Sequence, residues 1–425
     1  MKPATRVTRG LAWVPLFIAL SAGAEVSSSP PPGRSVDELL AYARQNNPDL
    51  RMSTMEAQAA RSRVASASAL PDPRFQIEMM DVNNAASGGS TSLLPGEVGT
   101  TRYALIQPLP FWGKRGLRGD VAAAQAAQSE TARDALALDI EMNIKSAYAR
   151  YWQAVGQLRI LDETLGLLDA IERQAMSRYG VGLVPQQDVL RAQSELTALK
   201  LERLEAERRR RDAAARLNAL LPRAADAPLA EPAALPTMPP ALALSTLWSA
   251  VQERSPDLAR ERHAVTGAES GRALSYRNRY PDFSVGLRDN RPRSGVETWD
   301  VMLEVSIPLQ QGSRRAQERE SEHRLESARA RVAAVEARLQ GKLGQAHAAF
   351  ESSSDKARLL RDTLLPQARA TLAAAQAGYE TGRVNFNTLL DAERQILRVR
   401  LSLLDAEAEQ ATRLAEIEQL VGGSL

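Results

Sequence analysis

Proline placement constrains this chain more than any other feature. Between residues 114 and 221 there is one proline, Pro185, and between 309 and 425 there is one, Pro366. Prolines cluster instead at 30–32, 71–73, 95–110 and 222–240. Helix interiors reject proline, so the two sparse tracts predict long helices. They are rich in Ala, Leu, Arg, Glu and Gln, which favour helix. In the first tract Ile144, Tyr148, Tyr151, Val155, Leu158, Leu161, Leu165 and Leu168 recur at steps of three and four, the spacing of a coiled-coil seam. Leu325, Ala328, Val332, Val335, Leu339, Leu343, Ala346 and Phe350 do the same in the second.

The tracts belong to a repeated unit. Asn47-Pro48-Asp49-Leu50 returns as Ser255-Pro256-Asp257-Leu258, and Pro73 and Phe75 return as Pro281 and Phe283, all at an offset of 208. Pro108-Leu109 returns as Pro308-Leu309, and Tyr179 and Gly182 as Tyr379 and Gly382, at an offset of 200. The first half therefore holds a loop eight residues longer between residues 81 and 101. Chance similarity of two coiled coils does not keep such offsets across different kinds of element.

The expected organisation is a leader at 1–24, a first repeat at 25–221, a proline-rich linker at 222–242 and a second repeat at 243–425. Each repeat opens with a helix (35–70 and 243–279), continues through a β-hairpin (73–109 and 281–309) and enters a long helix (114–180 and 314–380). A tip turn (179–185 and 379–385) and a returning helix complete it. Sixty-seven residues of helix make a rod of roughly 100 Å, which two shorter helices end to end can match. In the hairpins Phe75, Ile77 and Met79 alternate with Arg74, Gln76 and Glu78, and Phe283, Val285 and Leu287 with Ser284, Gly286 and Arg288. Tyr103 and Leu105 oppose Arg102 and Ala104, and Trp299, Val301, Leu303, Val305 and Ile307 oppose Asp300, Met302, Glu304 and Ser306. Such strands carry one apolar and one polar face.

Lys2, Arg6 and Arg9 precede an apolar stretch from Leu11 to Leu20 and a small-residue end at Ala22-Gly23-Ala24, the form of a secretory signal peptide. Outside these residues the 54 basic groups fall to 51, matching the 51 acidic ones, which argues against a polyanion-binding surface. With no Cys there is no thiolate metal site, Cys nucleophile or lipobox cysteine to be acylated. His263, His323 and His347 have no ligand spacing, and no nucleotide loop or nucleophile elbow is present, so neither an enzyme nor a cofactor is expected. Packing is a cheaper reading of Met52, Met55, Met79 and Met80 than Cu(I) binding. Arg208 to Arg211, near Glu202, Glu205 and Glu207, read as a solvated helix face and not a nucleic-acid site.

Four strands cannot close a membrane barrel, which needs about eight, and lipid tolerates no open sheet edge. Copies of the chain would supply the missing strands. Pattern alone equally allows a soluble periplasmic coiled-coil scaffold whose small sheet packs on its own helices.

The duplicated helix–hairpin–helix order resembles the TolC-like outer-membrane efflux family over nearly the whole mature length. So do the tip turns Arg178-Tyr179-Gly180-Val181-Gly182-Leu183-Val184 with Asp188-Val189-Leu190, and Tyr379-Glu380-Thr381-Gly382 with Leu389-Leu390-Asp391-Ala392. Leu365-Pro366-Gln367-Ala368 through Asp391-Ala392-Glu393-Arg394 and Pro110-Phe111-Trp112-Gly113-Lys114-Arg115 resemble its heavy-metal (CusC/CzcC-like) branch, with Trp112 where proline is usual. The resemblance implies a mainly α fold with a membrane β-hairpin pair: a homotrimer whose twelve-stranded β-barrel sits in outer-membrane lipid and continues as an α-helical coiled-coil tunnel through the periplasm. It implies the exit duct of a tripartite pump, with a periplasmic adaptor and an inner-membrane transporter of RND type as partners. Heavy-metal cations, drugs and type I secreted proteins are all cargo of such ducts. It further implies that Tyr179, Gly182, Leu183, Val184, Tyr379, Gly382, Arg383 and Val384 meet the adaptor. Asp188 and Asp391 would ring a periplasmic gate, against the simpler reading of acids at helix N-termini. Phe75, Ile77, Phe283, Val285, Leu287, Val301 and Leu303 would face lipid. Ser284 and Gly286 would face the lumen and tolerate arginine.

Overall fold

The computed structural model describes residues 31–85, 90–239 and 242–425; the expected leader lies outside the described residues. The first half runs α1 (Val36–Asn46), α2 (Pro48–Ser68), β1 (Arg74–Met80), β2 (Thr100–Leu109), α3 (Lys114–Gly180) and α4 (Gln186–Leu220). The second runs α5 (Leu244–Arg254), α6 (Pro256–Arg277), β3 (Asp282–Pro292), β4 (Thr298–Ser306), α7 (Gln311–Leu359), a π-helical turn (Leu360–Leu364), α8 (Leu365–Glu380) and α9 (Phe386–Val421).

Each opening helix, expected to be continuous, is two. The break falls at Asn47-Pro48 and again at Ser255-Pro256, where Asn47 (φ −72°, ψ 120°) and Ser255 (φ −63°, ψ 119°) are extended. Proline disfavours helical geometry in the residue before it and suits the first turn of the helix it opens. The second long helix is interrupted ahead of Pro366. The chain inserts a five-residue π turn just before it, a wider turn that absorbs the missing amide hydrogen. On α3 both predicted ends hold.

Helix α3 is the spine. Against α4 it pairs Gln193 with Glu172, Arg203 with Asp162 and Arg209 with Gln157, a constant register that makes the two antiparallel. Against α2 it pairs Arg61 with Glu130, so one long helix does lie beside two short ones. Lys145–Glu418, Gln153–Asp405 and Arg400–Glu163 tie α3 to α9 and join the halves. The linker is not a free tether: Ala230 and Ala233 donate amides to Pro32 and Arg34, and Tyr148 donates its hydroxyl to Arg34 and Ala234 carbonyls. His347 serves the same junction, its Nε2 lying 2.6 Å from the Leu242 carbonyl. Met52 and Met55 are half exposed instead of packed, because α2 turns the small residues Ser53 and Ala57 inward.

The strands form one antiparallel sheet in the order β1-β2-β3-β4. Its register puts Phe75 opposite Leu105, Leu105 opposite Leu287 and Leu287 opposite Val301. Ala104, Arg288 and Asp300 form the next row, on the other face. Strands β1 and β4 are the free edges.

Candidate functional site

Two regions carry chemistry: the sheet and the paired tip turns. On the sheet the two faces differ as alternation requires. Phe75, Ile77, Val285, Leu287, Val301 and Leu303 are exposed apolar side chains on one face, Val301 at 79%. Phe283, also on this face, is half-buried. The other face is polar, with Ala104 at 6% exposure on a middle strand, Asn290 donating to Asp300 at 2.7 Å and Arg102 3.6 Å from Glu78, and with most of its edge-strand residues exposed. An apolar face left uncovered is the reverse of a sheet packed on its own helices. One expectation needs correcting. Gly286 cannot accept a side chain freely, because a Cβ there would lie 3.0 Å from Met302 Cε and 3.3 Å from Ile106. Ser284, half-buried on the same face, carries no such conflict.

A clamp at the base of the sheet joins the halves and was not anticipated. Lys114 is buried; its Nζ donates to Asp282 Oδ1 and to the Tyr280 carbonyl, each at 2.8 Å. The Phe111 amide donates to the same Asp282 oxygen, and the Phe111 ring stacks on Tyr280 with centroids 4.6 Å apart.

The tips are built alike. Gly182 (φ +76°) and Gly382 (φ +72°) hold the left-handed conformation that ends a helix. Gly182 and Leu183 donate to Tyr179 and Arg178 carbonyls; Gly382 and Arg383 donate to Tyr379 and Gly378 carbonyls. This is one capping motif repeated 200 positions apart. Side chains then diverge. Tyr179 is 42% exposed and Leu183 68%, but Tyr379 is 3% exposed, its ring 5.5 Å from that of Phe386. Tyr379 is therefore a core residue, not part of the exposed tip. Val184 and Val384 are half-buried beneath the turns, and Arg383 is exposed. Arg178 crosses between the tips, its Nη1 donating to the Tyr379 carbonyl at 2.6 Å and its guanidinium 5.0 Å from the Tyr379 ring centroid. Arg191 donates to Asn387, and Arg394 binds both Glu195 oxygens at 2.8 and 2.5 Å.

The two gate candidates differ. Asp188 lies in the first turn of α4 and is half-buried, which pushes its carboxyl up despite Arg191 nearby. Asp391 lies beyond the first turn of α9, so stabilisation by a helix N-terminus does not account for it. Its carboxylate is exposed, 3.7 Å from Arg394. Two residues on, Glu393 is 2% exposed, and its Oε1 has no hydrogen-bond partner among the described residues. Burial first, and the Glu195 charge second, raise its carboxyl to about 7. Pattern reading missed it because a Glu at this helical spacing looks like a surface residue. In the arginine run, Arg208 pairs with Glu205, and Arg210 and Arg211 with Glu207, whose carboxyl they hold down at about 2. Glu202 takes no part in these pairs.

Residues 39–222 and 247–423 match the sequence profile described as outer membrane efflux protein. The chain belongs to that family. The two matched segments are the two repeats. Among curated relatives, the cation efflux system protein CusC of Escherichia coli K12 is 24% identical over 418 residues, covering 91% of this chain and 86% of that one. The cobalt-zinc-cadmium resistance protein CzcC of Cupriavidus metallidurans is 22% identical over 418 residues, covering 97% and 94%. The crystal structure of CusC superposes with a TM-score of 0.77 at 20% identity, over 92% of each chain. The outer membrane protein VceC of Vibrio cholerae gives 0.76 at 18% identity, over 92% of this chain and 96% of its own. The family fold therefore spans both repeats of this chain.

Proposed function

We propose that this protein is the outer-membrane exit duct of a tripartite efflux pump, a passive homotrimeric channel whose cargo is heavy-metal cations. The observation that carries the duct is the sheet: four strands with two edges unpaired among the described residues, one exposed apolar face and one polar face. Three copies joined edge to edge make a twelve-stranded barrel, apolar outside and polar inside, and leave no edge in lipid. The helices continue the wall as a tunnel through the periplasm. A soluble scaffold would leave the same apolar face in water. The metal cargo draws on the names of the relatives CusC and CzcC. An RND-type inner-membrane transporter then supplies energy and selection, and an adaptor meets the exposed tip residues Tyr179, Gly182, Leu183, Gly382 and Arg383, braced by Val184 and Val384.

Detergent-dependent membrane fractionation and heat-modifiable electrophoretic migration test the duct; a chain that stays soluble without detergent refutes it. Cargo is tested by deleting the gene and challenging with copper, silver, zinc, cobalt and drugs. Sensitivity to drugs alone rejects metal export and leaves the duct standing. At the tip, three copies turn exposed Asp391 into a ring of carboxylates, with Asp188 behind it, a cation-attracting mouth. Asp188→Asn with Asp391→Asn should abolish cation preference and block by trivalent cations in planar bilayers. Unchanged selectivity and block would remove the gate role from both residues.

A further inference from the structure

The apolar face of the sheet ends at a groove of about 470 Å³, within the size range of small-molecule sites. Leu109, Phe283 and Leu303 line it from the sheet, Leu70 and Trp112 from the segments that lead to the helices, and Arg115 closes its end. Trp112, the largest apolar side chain lining the groove, is 76% exposed. Its ring leans on Phe283 with centroids 5.8 Å apart and on Phe111 at 5.3 Å. The amphipathic indole is the side chain found where a membrane meets water. Trp299 and Tyr103 lie at the other end of the same face, six residues along β3 from Phe283, or about 20 Å. The groove therefore sits at the helix-side border of the membrane band.

Two guanidiniums stand at that border. Arg115 donates its Nε to the Ser68 carbonyl, and Arg277 leans over Gly113 and the Tyr280 ring. Among the described residues neither is ion-paired, whereas the nearby Asp282 is held by Lys114. Arg115 lines the trough and Arg277 stands beside Gly113, another of its lining residues, so an apolar trough continuous with the apolar sheet face and bordered by two unpaired guanidiniums fits one molecule with a long alkyl chain and a phosphate. Leu109 of β2 and Phe283 and Val285 of β3, the middle strands, line the groove, with Leu303 of β4 beside them.

We propose that this groove seats one anionic phospholipid of the leaflet nearest the helices. An acyl chain lies along Leu109, Phe283 and Leu303 beneath Trp112, and the phosphate sits between Arg115 and Arg277. The inference rests on the reading of the sheet as a membrane wall. It gives each subunit a lipid-borne fastening at its membrane border.

The test uses the full-length protein in vesicles of phosphatidylethanolamine with a minor share of phosphatidylglycerol. Bromines are carried on the acyl chains of one lipid or the other. The emission of Trp112 is isolated as the difference between wild type and Trp112→Phe. Brominated phosphatidylglycerol should quench it severalfold beyond its mole fraction. Arg115→Gln with Arg277→Gln should return quenching to the mole fraction, and Arg115→Lys with Arg277→Lys should keep the enrichment. Wild-type quenching at the mole fraction, or enrichment that survives the double Gln change, overturns the seat. Heat-modifiable migration and quenching of Trp299 in the same vesicles report insertion. A chain that fails to insert overturns the membrane reading and the seat together, whereas an inserted chain without enrichment overturns the seat alone.

Discussion

Neutralising Glu393 should stabilise the tip at alkaline pH and leave it unchanged in acid. The carboxyl is buried in α9, Oε1 unpartnered, and the nearest positive charge, Arg394, is committed to Glu195. The charged groups that act on it are Glu195 and Glu202 from α4 and Arg394 from its own helix. Burial and Glu195 raise its carboxyl from 4.5 to about 7, so the folded tip holds a proton that the unfolded chain releases. Between those two values the folded state binds more protons, so stability falls as pH rises. The loss starts near pH 4.5, is complete somewhat above 7, and stays constant beyond. A rise of about 2.5 units at 1.36 kcal/mol each amounts to roughly 3 kcal/mol per subunit.

Glu393→Gln keeps the shape and removes the titration. It should therefore match wild type near pH 4.5 and exceed it by roughly 3 kcal/mol at pH 8. Local opening, and not global unfolding, is the quantity to read, because the buried charge acts on the tip and opening there does not require the rest of the chain to unfold. Hydrogen exchange over 186–199 and 386–399, compared between variant and wild type at each pH, should show about a hundredfold more protection in the variant at pH 8. A wild-type-minus-variant infrared spectrum should show the protonated carboxyl persisting to near neutral pH. Glu195→Gln should lower that titration sharply, since it removes a like charge and frees Arg394. A variant advantage that is flat in pH, or largest in acid, would refute the reasoning.

Three further outcomes follow from the geometry. Val301→Arg, on the exposed apolar face, should cost about 2–4 kcal/mol of barrel stability if it lies near the membrane midplane, while Ser284→Arg should leave insertion largely intact; equal tolerance in a membrane-folding titration would reject the assignment of faces. Lys114→Met should lower stability by about 2–3 kcal/mol, because it strips the Asp282 carboxylate and the Tyr280 carbonyl of a shared charged donor, with circular dichroism melts as the check. Gly422→Ala should cost about 2 kcal/mol or more: φ is +90° there, and a Cβ would stand 2.5 Å from the Arg254 carbonyl oxygen, so protease resistance of the α5–α9 junction should drop.

Much of the fold was legible because its punctuation is local. Gly113 and the tip glycine bound α3, and proline is absent between them, so both ends of a 67-residue helix could be read. The breaks before Pro48 and Pro256 were written just as locally, but the apolar spacing runs through them and hides them. The face assignment of the strands was legible from period two alone and agrees with the register. What could not be read was any property set by the partner helix. The Lys114–Asp282 clamp joins residues 168 positions apart, and the burial of Glu393 depends on α4 and α8 arriving beside α9.

The two tips make the limit concrete. Their backbones are copies: the same glycine conformation and the same pair of closing hydrogen bonds, 200 positions apart. On that basis Tyr179 and Tyr379 should behave alike, yet one is exposed and the other buried. The difference sits seven residues on, where the first tip has Gln186 and the second Phe386. Phe386 is buried and gives Tyr379 a ring to lie against; Gln186 is exposed and gives Tyr179 none. Arg178 then binds over the buried Tyr379, so the first tip is held by the second. Duplication supplied two equal turns, and a single aromatic made one of them an anchor and left the other exposed.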